Sequence, residues 1–266
     1  MKNTVVLTIV LLFQLGTAFA WGAKFQILTV EEPPSSYRSA TGELQGLAID
    51  IVRAIQERIG NHDPVQIVPE VRALKIAAES PNVVLVGFSR IPERERHFNW
   101  ILRYLRKPWV LYARTGESFA IHSLEDAKDV DRIGVVRRDV REFYLEERGF
   151  RNLALVDSHE QNVRKALAQR IPMFVYDPAG LAFICRRFDI ALEAFQEVLV
   201  LKTSEVYIMM SRKGTAAEDV DQWEGAARSI KQDGSLQQIA NRWVGRITRE
   251  TGVACAAHGG IVTFSP

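Results

Sequence analysis

Short apolar runs rich in β-branched residues alternate with stretches of helical period along most of this chain, and that alternation limits the folds open to it. FQILTV (25–30) reads as a strand; LQGLAIDIVRAIQERIG follows with Leu47, Ile51, Ala54 and Ile55 on one helical face and Gly60 as a stop. VQIVP and VVLVGF are runs typical of strands covered on both faces, with RALKIAAES as a short helix between them and PWVLYAR (108–114) as a further strand. A second series then begins. Ser123 caps SLEDAK, RIGVV (132–136) is a strand, Asp139 caps VREFYLEERG, and Ser158 with Gln161 has capping-box spacing. IPMFVY (171–176) is a strand that stops at DPAG, and EVYIMMSR (205–212) precedes two helices with a DGS turn between them. Trp223, Ala227 and Ile230 line the first helix; Leu236, Ile239, Ala240 and Trp243 line the second. The order predicts an α/β protein with mostly parallel sheets, whose ligands lie beyond the carboxyl ends of strands. The tail from 247 to 266 shows no period.

The first twenty residues differ in kind. One lysine at position 2, an apolar run from Val5 to Leu15 and small residues at Ala18 and Ala20 read as a secretory signal peptide cleaved after Ala20. The run is shorter than the roughly 20 residues needed to span a bilayer. Removing Lys2 leaves 33 basic against 32 acidic residues, a balance that argues for neither nucleic acid nor an acidic membrane surface as a partner. Cys185 and Cys255 are the two cysteines, and the sequence leaves their pairing open. The five histidines have no metal-ligand spacing, and no G-x-S-x-G, H-E-x-x-H or phosphate-cradling glycine loop occurs, so no metal, cofactor or catalytic constellation is expected.

Five segments in order resemble family 3 extracellular solute-binding proteins, the polar amino-acid receptors of ABC importers. ILTVEEPPSSYRSATGELQGLAIDIVRAI resembles the family's opening, and GFSRIPERERHFNW its Ser/Thr followed by T-P-E-R and an aromatic residue. SLEDAKDVDRIGVVRRDVREFYLEERG resembles the start of the second lobe, ALAQRIPMFVYDPAG the strand ending in a ligand-binding acid, and WEGAARSIKQDGSLQQIANRWVG the C-terminal helices. The resemblance implies a two-lobe periplasmic-binding-protein fold of type II that closes on its ligand about a hinge. Lobe 1 would comprise 24–113 plus 207–246 and lobe 2 116–203, with crossings near Tyr112–Thr115 and Thr203–Tyr207.

Residue by residue, the resemblance places Arg94 and Ser89 on a ligand α-carboxylate and Asp177 on its α-ammonium. A guanidinium presents paired donors to both oxygens of a carboxylate, and a carboxylate at the end of a buried strand needs a cation or donors. Asp177 also suits the N-cap before Pro178, and an arginine in this segment also suits a surface pair with Glu93 or Glu95, the more so for Arg90. Where relatives stack an aromatic residue on the ligand this chain has Glu32, with Tyr37 as a substitute face, and Asp139 replaces a Gly-Ser/Thr pair at the second lobe's anion-binding helix. Arg72 stands where relatives often place a cleft-facing side chain. Glu32, Asp139 and Asp177 against Arg72, Arg90 and Arg94 predict a highly charged cleft that suits a cationic or strongly polar amino acid. The expectation is a monomeric periplasmic receptor that feeds an ABC permease. The alternatives are a receptor that serves a signalling partner, and an enzyme on the same scaffold of the cyclic-acid dehydratase kind.

Overall fold

The computed structural model describes residues 24–264, so the expected signal peptide and its cleavage point lie outside the described residues. Twelve strands and seven α-helices follow in chain order. The strands are β1 (Gln26–Thr29), β2 (Tyr37–Arg38), β3 (Leu44–Gln45), β4 (Val65–Ile67), β5 (Val83–Ser89), β6 (Phe98–Arg114), β7 (Ile133–Val136), β8 (Leu153–Val156), β9 (Met173–Tyr176), β10 (Phe195–Ser211), β11 (Cys255–His258) and β12 (Ile261–Phe264). The helices are α1 (Leu47–Ile59), α2 (Glu70–Glu79), α3 (Val140–Glu146), α4 (His159–Leu167), α5 (Pro178–Arg187), α6 (Ala217–Gln232) and α7 (Ser235–Thr251).

One continuous sheet runs β4-β1-β5-β10-β6-β9-β7-β8. At one end β4, β1 and β5 are parallel, and at the other β9, β7 and β8 are parallel. The long antiparallel pair β6–β10 joins the two ends, β10 pairing with β5 and β6 with β9. Each parallel end carries helices on both faces, which is why its strands read as near-continuous apolar runs. The first lobe buries α1, α6 and α7 on one face, where Ile51, Ile55, Trp223, Leu236 and Trp243 meet Ile27 and Val84. On its other face α2 packs Ala73 and Ala77 against Leu28 and Leu85. In the second lobe Leu145 of α3 lies with Ile133 and Val175, while Val163 of α4 and Leu181 of α5 lie with Phe174 on the opposite face.

Both crossing strands are longer than their apolar runs suggest. Each has 17 residues, and β6 begins at Phe98 rather than near Pro108. Arg103, Arg106 and Lys107 interrupt the apolar pattern because the middle of the strand is not sandwiched between helices. β10 departs from regular register against β6 at several places, including Glu197/Leu199 and Val206/Tyr207. On its other edge β6 meets β12 in parallel at Leu105 and Arg106 and β9 at Val110–Ala113, and Pro108 falls in the interval between them. The tail without period is thus a hairpin docked on the crossing strand, and α7 continues to Thr251 before it. Cys185 and Cys255 are both free thiols. Among the described residues no helix is long and apolar enough to cross a membrane.

Candidate functional site

The loop after β1 is held rigidly, and it aims Glu32 at the second lobe. Glu32 and Ser36 exchange backbone hydrogen bonds, Glu32 N to Ser36 O at 2.7 Å and Ser36 N to Glu32 O at 3.1 Å. Thr29 Oγ1 donates to Ser36 Oγ at 2.8 Å, and Ser35 Oγ bonds Tyr104 Oη at 2.6 Å. The first amides of α1 close on the same loop, Leu47 N to Pro34 O at 3.0 Å and Ala48 N to Ser35 O at 2.9 Å, which satisfies two of the helix's orphan donors. This approach requires Gly46: its φ is 144°, and a Cβ there would stand 2.1 Å from Ser35 O.

Across the cleft, three helix starts of the second lobe bring ionisable side chains to the region of Glu32. Asp139 caps α3 through Arg141 N at 2.7 Å, Asp177 caps α5 through Gly180 N at 2.9 Å, and His159 opens α4 after the Ser158 cap. The guanidinium of Arg141 bridges lobes, Nη2 lying 2.7 Å from Glu32 Oε1 and Nη1 2.7 Å from Asp139 Oδ2. Lys107, on β6, places Nζ 2.6 Å from Glu32 Oε1 and 2.9 Å from Asp177 Oδ2. His159 Nε2 is 3.4 Å from Glu32 Oε2, and its ring stacks on Tyr176 at 3.9 Å. Burial by itself would raise the Glu32 carboxyl; Lys107, Arg141 and His159 overcome it and hold the group well below the usual carboxylate range. The same acids, Asp177 and Glu32, outweigh burial at Lys107 and raise its ammonium.

A second ion pair stands beside this cluster. Arg94, buried at the short 3-10 turn Pro92–Arg94, donates Nη2 to Glu70 Oε1 at 2.7 Å and Nη1 to Ser89 O at 3.0 Å. Ser89 Oγ accepts from Ser204 Oγ at 2.9 Å. Burial and then the nearby Asp139 push the Glu70 carboxyl up to about 7, against the pull of Arg94.

The structure therefore sorts the eight expected site residues. Glu32, Asp139 and Asp177 meet in one cluster; Arg94 and Ser89 lie together but engage the chain's own groups. Tyr37 is buried against Phe183 and Trp243, with its hydroxyl unpaired. Two expectations are corrected. Arg72 is exposed on α2 and does not line the cleft, because Ala73 and Ala77 take the buried face of that helix. Arg90 points away, chelated by Glu95 at 2.7 Å and stacked over Trp100 and Tyr207. Asp139 does not stand as an unscreened anion, since Arg141 neutralises it two residues on. Lys107, Arg141, His159 and Glu70 were not expected. For Lys107 a signal existed: a lone ammonium beside a proline in an otherwise apolar strand must find acids.

The cleft between the lobes has a volume of about 810 Å³. One end shows Glu32, Glu70, Asp139 and His159; the other shows Tyr37, Phe183, Arg186 and Arg246. Contacts across it hold the lobes together here, including Arg186 Nη1 to Glu250 O at 2.8 Å and the Tyr37–Phe183 ring pair at 5.4 Å. No group of three or more His, Cys, Asp and Glu among the described residues is arranged to hold a metal ion.

Residues 26–246 match the profile of the bacterial extracellular solute-binding proteins, family 3. The chain belongs to that family. Among solved structures, this solute-binding protein resembles a histidine kinase sensor domain similar to periplasmic binding proteins, with a TM-score of 0.74 and 18% identity over 84% of this chain and 97% of the other. It also resembles an ancestral arginine-binding protein bound to arginine (TM-score 0.71, 20% identity, 82% and 97% covered). A third is an L-cystine ABC transporter protein, described as putative, from Listeria monocytogenes (TM-score 0.68, 18% identity, 84% and 97% covered). At these identities the likeness is one of fold: a mixed α/β sheet with flanking helices, in the type II periplasmic-binding-protein arrangement. No curated protein matches the sequence of this solute-binding protein.

Proposed function

We propose that this solute-binding protein captures a small polar solute bearing an ammonium group in the cleft between lobes 24–113 plus 207–246 and 116–203, and passes it to an ABC permease. An amino acid is the simplest such solute, and the signal-like N-terminus supports a periplasmic setting for the mature chain. One observation carries the reading. Four buried or half-buried carboxylates, Glu32, Glu70, Asp139 and Asp177, meet three obligate cations, Lys107, Arg94 and Arg141, and three of the acids, Glu32, Glu70 and Asp139, face the cleft. Closure on β6 and β10 removes water from this cluster and strengthens each charge-assisted bond within it.

A thermal-shift panel of residues 21–266 against amino acids and amines tests it. A solute at 100 times its dissociation constant adds about 2.7 kcal/mol of stability, readable as a shift in Tm. No shift with any member would remove the receptor reading. The likeness to a histidine kinase sensor domain favours a second reading, in which the same capture serves a signalling partner. Co-purification with a permease or with a membrane kinase separates the two. The family is one of binding proteins, and binding without turnover is the expected outcome.

A further inference from the structure

An α-amino acid needs two anchors in such a cleft, a guanidinium for its carboxylate and an acid for its ammonium. Here both anchors are already occupied from within the chain. Arg94 spends one terminal nitrogen on Glu70 and the other on Ser89 O, and the Ser89 hydroxyl is engaged by Ser204. Asp177 gives one oxygen to Gly180 N and the other to Lys107. The carboxylate of Glu70 thus stands where a ligand carboxylate would, and the ammonium of Lys107 where a ligand ammonium would.

We propose that Glu70 and Lys107 fill these two half-sites permanently, and that the solute is an amine without an adjacent carboxylate, its cation resting against Glu70, Asp139 and Glu32. The proposal rests on the reading of this cleft as the solute site. Three observations lead to it. First, the groups facing the cleft at this end are Glu32, Glu70, Asp139 and the His159 imidazole, whereas Arg94, Lys107 and Arg141 stand behind them and do not line it. An incoming solute meets carboxylates.

Second, all three obligate cations of the cluster are already taken by its own acids, Arg94 by Glu70, Lys107 by Glu32 and Asp177, and Arg141 by Glu32 and Asp139, so none is free for a ligand carboxylate. A bound ammonium needs no such partner and finds acids at the wall. A zwitterion adds no net charge, and its carboxylate would have to displace Glu70 from Arg94 and leave a second buried acid next to Asp139.

Third, polar atoms at the cleft wall lack partners within the chain. His159 lines the cleft with its side chain 10% exposed, and its Nδ1 is buried with no hydrogen bond. Tyr37 lines the opposite end, and its buried hydroxyl is likewise unpaired. The rings of Tyr37 and Phe183 give an apolar wall for the carbon body of an amine.

The test uses matched pairs that differ by one carboxylate: agmatine against arginine, cadaverine against lysine, and tyramine against tyrosine. Isothermal titration of the wild-type chain is expected to show at least one amine binding tenfold or more tighter than its amino acid. Glu70→Gln, checked for a native melt, frees the Arg94 fork and removes one acid, so it should weaken the amine and strengthen the amino acid. An amino acid that binds the wild type as tightly as its amine overturns the inference while the receptor reading stands. Absence of binding by every member of the three pairs, in wild type and variant, overturns both. The wild-type comparison needs no variant, so a misfolded Glu70→Gln would not protect the proposal.

Discussion

Arg94 and Arg90 lie four residues apart in one segment, and each holds a glutamate at 2.7 Å, yet the two pairs do opposite things. The Arg94 side chain is 7% exposed and its partner Glu70 comes from a different element 24 residues away. The Arg90 side chain is 40% exposed, its partner Glu95 is a near neighbour in sequence, and two aromatic rings support it. Distance alone does not rank an ion pair. The buried pair fixes charges whose loss strands a partner away from water, whereas the exposed pair exchanges solvent contacts for protein contacts with little net gain.

The contrast breaks most severely where the buried charges are densest. Arg141→Ala removes the guanidinium between Glu32 and Asp139 and should cost about 4 kcal/mol in urea unfolding, since it leaves buried acids uncompensated. Arg94→Ala should cost about 3 kcal/mol by the same measurement, somewhat less because Glu70 retains partial access to water. Adding Glu70→Leu to Arg94→Ala should restore much of that loss, because an unpaired buried acid is worse than an apolar side chain; strict additivity of the two changes would show the pair to be uncoupled.

Acidity sharpens the comparison with a smaller effect. Glu70 in the folded protein holds its proton up to about 7, whereas the unfolded chain releases it near the ordinary 4.5. Between these values the folded state binds more protons, so stability falls as pH rises through the window. Glu32 works in the other direction. Its folded carboxyl lies well below 4.5, so its contribution is present above that value and disappears as acid protonates it. Urea midpoints collected from acid to neutral pH should therefore pass through a maximum, and Glu70→Gln should flatten the neutral limb alone. Arg90→Ala sits at the bottom of the scale: its melt should be less altered than that of Arg141→Ala or Arg94→Ala, and a loss rivalling that of Arg94→Ala would mean that the stacking on Trp100 and Tyr207 matters more than exposure suggests.

Local chemistry was readable where the partners are local. Gly60 ends α1 in the left-handed conformation, Asp139, Ser158 and Asp177 cap the helices that follow them, and Leu236, Ile239, Ala240 and Trp243 form the buried face of α7. These depend on neighbours within one or two turns. The segment around Arg94 was also readable as special, though not that Glu70 would answer it. What sequence could not supply was pairing across the fold: Glu32 reaches Lys107 and Arg141 over 75 and 109 residues, and Lys107 reaches Asp177 over 70. Period and spacing hold no information at that range. The crossing strands were cut short for a related reason, because a strand between two cores alternates irregularly and loses the continuous apolar signature.

A sheet creases most easily along the line with the fewest cross-links. The outer edge of β6 is stitched at Leu105 and Arg106 and again from Val110 onward, and between these stitches Pro108 has no N–H to offer any neighbour. That crease runs one residue from Lys107, the ammonium shared by Glu32 of one lobe and Asp177 of the other. Any bend taken up along that line would therefore pull at once on both ion pairs of Lys107.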